Sequence, residues 1–157
     1  MFDNYLIRQD SLRNDVEDGE VVGFSMAVRI ANYRGVFLSL HTGYYLCVDG
    51  TVFPRDAQTF EVNGQPPRSF EEIKKAVWEH WDYDDEAILH VRKPGGLEPG
   101  THVIDFQQCV IAAYGYLPTD EAWVEAPPEP GTGAGSDKTP QVVTYELELQ
   151  PNEQVLA

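Results

Sequence analysis

Basic residues, cysteines and long apolar runs are scarce in this sequence, and each scarcity excludes a class of protein. The 157 residues contain 11 Lys and Arg against 26 Asp and Glu, which gives a formal net charge of −15. Nucleic acids and anionic membrane surfaces bind clusters of Lys and Arg, so we expect neither as a partner. No apolar run approaches the ~18 residues that a membrane-spanning helix needs.

The two cysteines, Cys47 and Cys109, are too few for a disulfide-rich extracellular scaffold. The opening residues MFDNYLIRQD lack a basic flank before an apolar run, so they do not resemble a secretory signal peptide. We therefore expect reduced thiols and a cytoplasmic location. Hydrophobic residues make up 42% and charged residues 24%, which is typical of a globular chain. The length fits a single domain over residues 1–157.

What the sequence does contain is alternation of apolar and polar residues, the pattern of half-buried β-strands. Asp49-Gly50 and Asn63-Gly64 predict type I′ turns, because both central positions of that turn need a positive φ. Short alternating segments separated by turns favour an all-β antiparallel β-sandwich, Ig-like or jelly-roll-like. The alternating segments are GEVVGFSMAVRI (19–30), GYYLCV (43–48), QTFEV (58–62), AILHVR (87–92), THVIDFQQCVIAAYGY (101–116) and VVTYELEL (142–149).

One short helix and one irregular segment interrupt this pattern. Ser69 and Glu72 have the spacing of a capping box, so the helix is predicted to begin after Ser69. Pro66 and Pro67 exclude an earlier start. In residues 118–140, 8 of the 23 residues are Pro or Gly. Such a segment buries little apolar surface, which predicts a flexible insertion at 118–140.

The sequence contains no recognisable metal-binding or catalytic motif. WDYDDE at 81–86 lacks the glycine and the bidentate glutamate of an EF-hand, and KPGGLEPG at 93–100 lacks the P-loop spacing. No G-x-S-x-G nucleophile elbow is present. A zinc site assembled from distant strands stays open, although the histidines form no short-spaced pair. The histidines are His41, His80, His90 and His102. We expect no metal ion and no catalytic residue on this chain.

Aromatic residues are abundant, with 3 Trp, 8 Tyr and 7 Phe. Arg, Tyr and Trp are the residues that most often anchor interfaces, so the pattern favours a docking surface for a protein or for a sugar ring. An alternative for the arginines is that Arg29 points to solvent and Arg34 caps a turn. The candidate partner-docking residues are Phe2, Tyr5, Arg29, Tyr33 and Arg34. The candidate sugar or aglycone contacts are Trp78, Trp81 and Tyr83.

Three segments, in their order along the chain, resemble the small β subunit of bacterial C-glycoside deglycosidases. They are MFDNYLIRQDSLRN at the start, RIANYRGVFLSL at 29–40 and KPGGLEPGTHVID at 93–105. The resemblance covers about residues 1–106 and continues loosely to Tyr114. None of these segments is a catalytic signature, so the resemblance depends on their order and spacing.

The resemblance implies a division of labour between two subunits. A larger TIM-barrel α subunit would hold a Mn or Mg ion and the catalytic bases, and the complex would cleave 3-oxo C-glycosides, often of flavonoids, by elimination. This chain would dock on that subunit, stabilise it and lack lyase activity alone. Two other functions stay open: a carbohydrate-binding module with Trp78, Trp81 and Tyr83 as a stacking platform, and an assembly protein without an enzyme partner.

Overall fold

The computed structural model describes residues 6–30, 36–38, 41–76, 78–82, 85–110 and 143–151. About half of these residues lie in strands, and a 3₁₀ turn at Arg55–Ala57 and a short α-helix are also present. The elements in chain order are β1 (Arg13–Glu17), β2 (Glu20–Val28), β3 (Val36–Phe37), β4 (His41–Val48), β5 (Thr51–Val52), β6 (Gln58–Glu61), β7 (Arg68–Ser69), α1 (Phe70–Ile73), β8 (His80–Trp81), β9 (Ala87–Arg92), β10 (Thr101–Val110) and β11 (Val143–Glu148).

The strands form two main antiparallel sheets and one small pair. The five-stranded sheet has the order β1-β2-β9-β6-β7, and the four-stranded sheet has the order β11-β10-β4-β5. The strands β3 and β8 pair separately. This architecture confirms the predicted all-β antiparallel sandwich with one short helix. The predicted insertion at 118–140 lies outside the described residues.

The hairpin turns have the backbone conformation that the sequence predicted. Asp49 and Gly50 have φ of 50° and 87°, and Asn63 and Gly64 have φ of 58° and 73°. A third turn of this kind, Asp18-Gly19, joins β1 to β2 and was missed by the sequence analysis. The reason is that β1 is a half-exposed edge strand, RNDVE, with a single apolar residue. Its alternation is therefore too weak to identify it.

The core lies between the two main sheets, and alternate residues of the strands point into it. Aromatic rings connect the sheets: Tyr44 of β4 lies 6.2 Å from Phe60 of β6, and Phe24 lies 5.3 Å from Phe53. A buried amide adds a polar link, because Gln58 Nε2 donates to the carbonyl oxygens of Tyr44 and Phe53. The part of the predicted alternating segment 101–116 that follows Val110 lies outside the described residues. The buried strand residues include Phe24, Met26, Val28, Tyr44, Leu46, Phe60, Leu89, Val91, Ile104, Phe106, Tyr145 and Leu147.

The helix α1 begins where the capping box places it. Glu72 N donates to Ser69 Oγ over 3.2 Å, and Ser69 N donates to Glu72 Oε1 over 3.0 Å. Phe70 and Ile73 anchor the helix in the core. The helix ends at Ile73, earlier than the run FEEIKKA suggests. No helix in the described part of the chain is long and apolar enough to cross a membrane.

Replacing Ser69 by Ala is expected to lower the free energy of unfolding by about 1 kcal/mol, because the amide of Glu72 loses its acceptor. Ser69→Asp keeps an acceptor and should remain close to the wild-type value. Urea titrations of the three proteins measure the difference. Equal midpoints for Ser69→Ala and the wild type would contradict a stabilising capping box.

Candidate interaction surface

The outer face of the five-stranded sheet carries an ordered set of polar side chains. Because side chains alternate along a strand, the residues next to the buried ones point away from the core. The register places Arg13 beside Ser25, Ser25 beside His90, and His90 beside Thr59. The next row contains Asp15, Gly23 and Arg92. Four strands therefore contribute to one polar surface, which is called the polar face below.

His90 is the centre of the polar face. Its Nδ1 lies 2.8 Å from Asp15 Oδ2 on β1, and its Nε2 lies 2.7 Å from Glu61 Oε1 on β6. Ser25 Oγ of β2 donates to the other Asp15 oxygen over 2.8 Å. Carboxylates accept hydrogen bonds and do not donate them when ionised, so both ring nitrogens must carry protons. The geometry describes an imidazolium ion between two carboxylates.

The electrostatics of His90 agree with this protonation state. Burial by itself would lower the pKa of His90, but the hydrogen bonds and negative charges of Asp15 and Glu61 outweigh it. The pKa of His90 is therefore raised above its ordinary value. The side chain is 24% exposed, so this charged group is only partly solvated.

Two hollows border this network on the polar face. The larger, of about 540 Å³, lies across β1, β2 and β9, and Arg13, Asp15, Gly23 and Arg92 are among its lining residues. The smaller, of about 310 Å³, is lined by Arg8, Ser11 and Ser25 among others. His90 and Arg13 line both hollows. The surface is therefore indented on both sides of the histidine.

Gly23 leaves the base of the larger hollow without a side chain. A Cβ atom at this position would lie 2.0 Å from the carbonyl oxygen of Val91 on the neighbouring strand. That distance is far inside van der Waals contact, so any side chain would push β2 and β9 apart. Glycine is therefore required by the close approach of two backbones.

Arg29, one of the predicted docking residues, lies beside the polar face. Its Nη2 lies 2.9 Å from Glu86 Oε2, and Arg8 Nη1 lies 2.8 Å from Glu86 Oε1. The carboxylate of Glu86 thus bridges the two arginines. Arg29 does not simply extend into solvent, although its side chain is 39% exposed.

The other predicted docking residues, Phe2, Tyr5, Tyr33 and Arg34, lie outside the described residues. Arg29 is therefore the member of this set that the structure describes. The Asp15–His90–Glu61 network was missed by the sequence analysis. Alternation in AILHVR does place His90 on the outer face, but nothing local indicates which carboxylates the neighbouring strands bring beside it.

The predicted sugar contacts separate in the structure. Trp81 is fully buried, its ring lies 5.0 Å from Phe60, and its Nε1 donates to Asp85 O. The prediction that Trp81 contacts a sugar or aglycone is wrong, because its ring is part of the core and offers no face to a ligand. Trp78 is 71% exposed, and Tyr83 lies outside the described residues.

A second polar cluster holds the segment that carries Trp78. Arg68 binds Glu79 through two parallel hydrogen bonds of 2.9 and 2.8 Å, and Asn63 Nδ2 donates to Glu79 over 2.9 Å. The hydrogen bonds from Arg68 are the main cause that lowers the pKa of Glu79. Glu79 is the neighbour of Trp78, so the bidentate pair fixes the backbone next to the exposed indole.

His102, near the start of β10, also holds a turn through hydrogen bonds. Its Nδ1 lies 2.5 Å from Asp49 Oδ2, and its Nε2 lies 2.7 Å from the carbonyl oxygen of Glu98. Burial opposes protonation, but these contacts raise the pKa of His102, and the hydrogen bond from His102 lowers the pKa of Asp49. These hydrogen bonds tie the Asp49-Gly50 turn to β10. They are a structural arrangement, since Asp49 also accepts from Val103 N.

The described side chains do not fit a metal centre. No group of three or more His, Cys, Asp or Glu among them is placed to share an ion. Both nitrogens of His90 and of His102 face oxygen acceptors, so neither ring presents a lone pair. Cys47 is a buried free thiol.

Fold and surface together define an antiparallel β-sandwich whose distinctive feature is a charged, hydrogen-bonded outer sheet face. Residues 2–114 match the family model of the C-glycoside deglycosidase beta subunit. A protein of Eubacterium cellulosolvens named "C-glycoside deglycosidase beta subunit" is 35% identical over 97 residues, covering 62% of this chain and 65% of that relative. The chain belongs to the C-glycoside deglycosidase beta subunit family, as its sequence suggested. The matched part is slightly less than two thirds of the relative's length.

Raising the pH is expected to destabilise the fold through His90. A histidine with a raised folded-state pKa contributes stability that is fully present below its unfolded pKa of ~6.5. That contribution is lost as the pH rises through the raised pKa of the folded protein. His90→Gln should therefore weaken the dependence of unfolding free energy on pH above about 6.5, whereas the control His80→Gln should retain it. Urea titrations from pH 5 to 9 measure this, and parallel curves for His90→Gln and wild type would contradict the charged network.

Proposed function

We propose that this chain is the accessory subunit of a heteromeric C-glycoside deglycosidase. It docks on a TIM-barrel α subunit and stabilises it, and the complex works in the cytoplasm. The observation that carries this proposal is membership of a family described as a beta subunit, matched over residues 2–114. A subunit implies a partner, and a sandwich with an ordered polar face is suited to binding one.

The chemistry is proposed for the α subunit, which would hold a Mn or Mg ion and the catalytic bases. The substrate would be a 3-oxo C-glycoside, such as that of a flavonoid. A ketone at C3 acidifies the neighbouring C2 proton, so its removal gives an enediolate, and elimination then breaks the carbon–carbon bond to the aglycone. The complex would thus be a lyase. The described residues of this chain, among which His90 and His102 have both ring nitrogens facing acceptors, contribute assembly and stability.

The docking surface is proposed to include Phe2, Tyr5, Arg29, Tyr33 and Arg34. These residues combine apolar area with planar guanidinium donors, which suits the centre of an interface. Arg29 supports this location, because its guanidinium is already oriented by Glu86 at 2.9 Å. An oriented arginine loses less conformational entropy when a partner binds.

A carbohydrate-binding module is the second candidate, and the 71% exposure of Trp78 favours it. Burial of Trp81 reduces the stacking platform among the described residues to one indole. Titration of the isolated chain with glycans separates the two functions. A module binds glycans alone and loses binding in Trp78→Ala, whereas a subunit gains activity only with its partner.

Activity should require both chains. The purified chain, supplied with Mn or Mg, is expected to leave a 3-oxo C-glycoside intact, and addition of the α subunit should restore cleavage. Co-purification from the native cells identifies that partner. Cleavage by this chain alone, or co-purification with no enzyme, would overturn the proposed function.

Arg34→Ala is expected to weaken association with the α subunit by a factor of tens to thousands. Removing one member of a buried interfacial charge pair costs about 2–5 kcal/mol. Lys75→Ala, on the exposed side after α1, is the control and should bind like the wild type. Calorimetric titration measures affinity, and the thermal midpoint of the free chain confirms its folding. Unchanged affinity in Arg34→Ala with Tyr33→Ala would move the interface away from residues 31–35.

A further inference from the structure

We propose that the polar face is a docking surface for the partner subunit, and that it takes a segment of mixed charge whose carboxylates pair with Arg13 and Arg92. This inference rests on the proposed function, because the occupant is the same partner. It adds a second contact region on the outer face of the five-stranded sheet.

The distribution of arginine on the two sheets is the first argument. Of the 7 arginines in the chain, Arg8, Arg13, Arg29 and Arg92 lie on or beside the polar face. The strands β4, β5, β10 and β11 of the other sheet contain no Lys or Arg. In a chain of net charge −15, the five-stranded sheet is therefore the one of these two sheets whose described strands offer guanidinium groups to an acidic segment.

The hydrogen-bond network at the centre of the face supplies the second argument, because the His90 charge offsets one of the two carboxylate charges there. Asp15 and Glu61 are each bound to the His90 imidazolium, and Asp15 also accepts from Ser25. The guanidinium of Arg92 makes no ion pair with any carboxylate in the part of the chain that the structure describes. The guanidinium of Arg92 therefore lies beside polar side chains that hydrogen bonds hold in place.

The shape of the face is the third argument. The larger hollow, of about 540 Å³, has no side chain between Asp15 and Arg92, because Gly23 occupies that position. Glu17 and Asp56 also line the larger hollow, so the partner segment that fills it should carry basic as well as acidic residues. Strands and hydrogen bonds hold the polar groups in place, which lowers the entropic cost of binding.

The test compares two variants of equal charge in calorimetric titrations of this chain with the purified α subunit. Arg13→Gln/Arg92→Gln removes two positive charges from the polar face, and Lys74→Gln/Lys75→Gln removes two after α1. We expect at least a tenfold weaker affinity for the first variant and wild-type affinity for the second. The affinity of the first variant should also depend less steeply on salt.

Folding is checked separately, because Arg13 has contacts within the chain. If the double variant has a lowered thermal midpoint, Arg92→Gln alone replaces it, since Arg92 is an exposed residue without an ion pair to the described carboxylates. Overlapping peptides of the α subunit then locate the segment. A peptide with both acidic and basic residues should bind the wild type and not the variant.

The remaining outcomes overturn the inference in distinguishable ways. Equal affinity for all three proteins shows that the partner docks elsewhere, and leaves the proposed function intact. Equal weakening in both variants shows a general charge effect. A wild-type chain that does not bind the α subunit overturns the proposed function together with this surface. Sedimentation measures the oligomeric state of the free chain. If the wild type is a dimer and the Arg13→Gln/Arg92→Gln variant is a monomer, a second copy of this chain, and not the α subunit, covers the polar face.

Discussion

Packing of Tyr44 between the two sheets is the constraint on which the rest of the structure depends. Its ring lies 4.8 Å from Phe106 in its own sheet, 6.2 Å from Phe60 in the opposite sheet and 6.1 Å from Phe70 of the helix. Trp81 extends this cluster through Phe60, and all these rings are buried. Aromatic side chains bury large areas and add a few tenths to ~1.5 kcal/mol per pair through ring geometry. These contacts fix which sides of β4, β6 and β10 face inward.

The polar face is a consequence of that orientation. Side chains have a period of two along a strand, so a shift of one residue in β9 would bury His90 and expose Leu89. The same parity places Asp15 and Glu61 on the outer surface. Three strands that are distant in sequence then meet in one charged network, with separations of 75 residues between Asp15 and His90 and 29 between Glu61 and His90. Packing in the core therefore determines which charged side chains meet on the polar face, although the core residues do not belong to the charged network.

The features that the sequence predicted depend on residues close together in the chain, whereas the features that it did not predict depend on contacts between distant segments. Alternation, the Asp49-Gly50 turn and the Ser69–Glu72 capping box involve residues a few positions apart, and each was correctly predicted. Trp81 was placed on the surface because aromatic residues surround it, yet β8 pairs with β3 and turns its ring into the core. The environment of His90 depends on strand order, which no short segment of the sequence specifies. The resemblance to the deglycosidase family came from the order of several segments and was confirmed.

The charge asymmetry between the sheets bears on how such a subunit associates with a partner. The described strands of the four-stranded sheet contain no Lys or Arg, and Glu146 and Glu148 of β11 are exposed. An acidic sheet face of this kind keeps its hydration and resists nonspecific contact, because burying unpaired carboxylates is costly. On the polar face, Asp15 and Glu61 are already hydrogen-bonded to His90, so covering these two carboxylates requires less desolvation of unpaired charge. A partner that approaches this chain therefore meets one face where burial is opposed and another where most of the charged groups already have partners. The orientation in which a partner binds follows from that difference. The His90 network, which forms during folding, also makes one side of the sandwich suitable for contact with a partner.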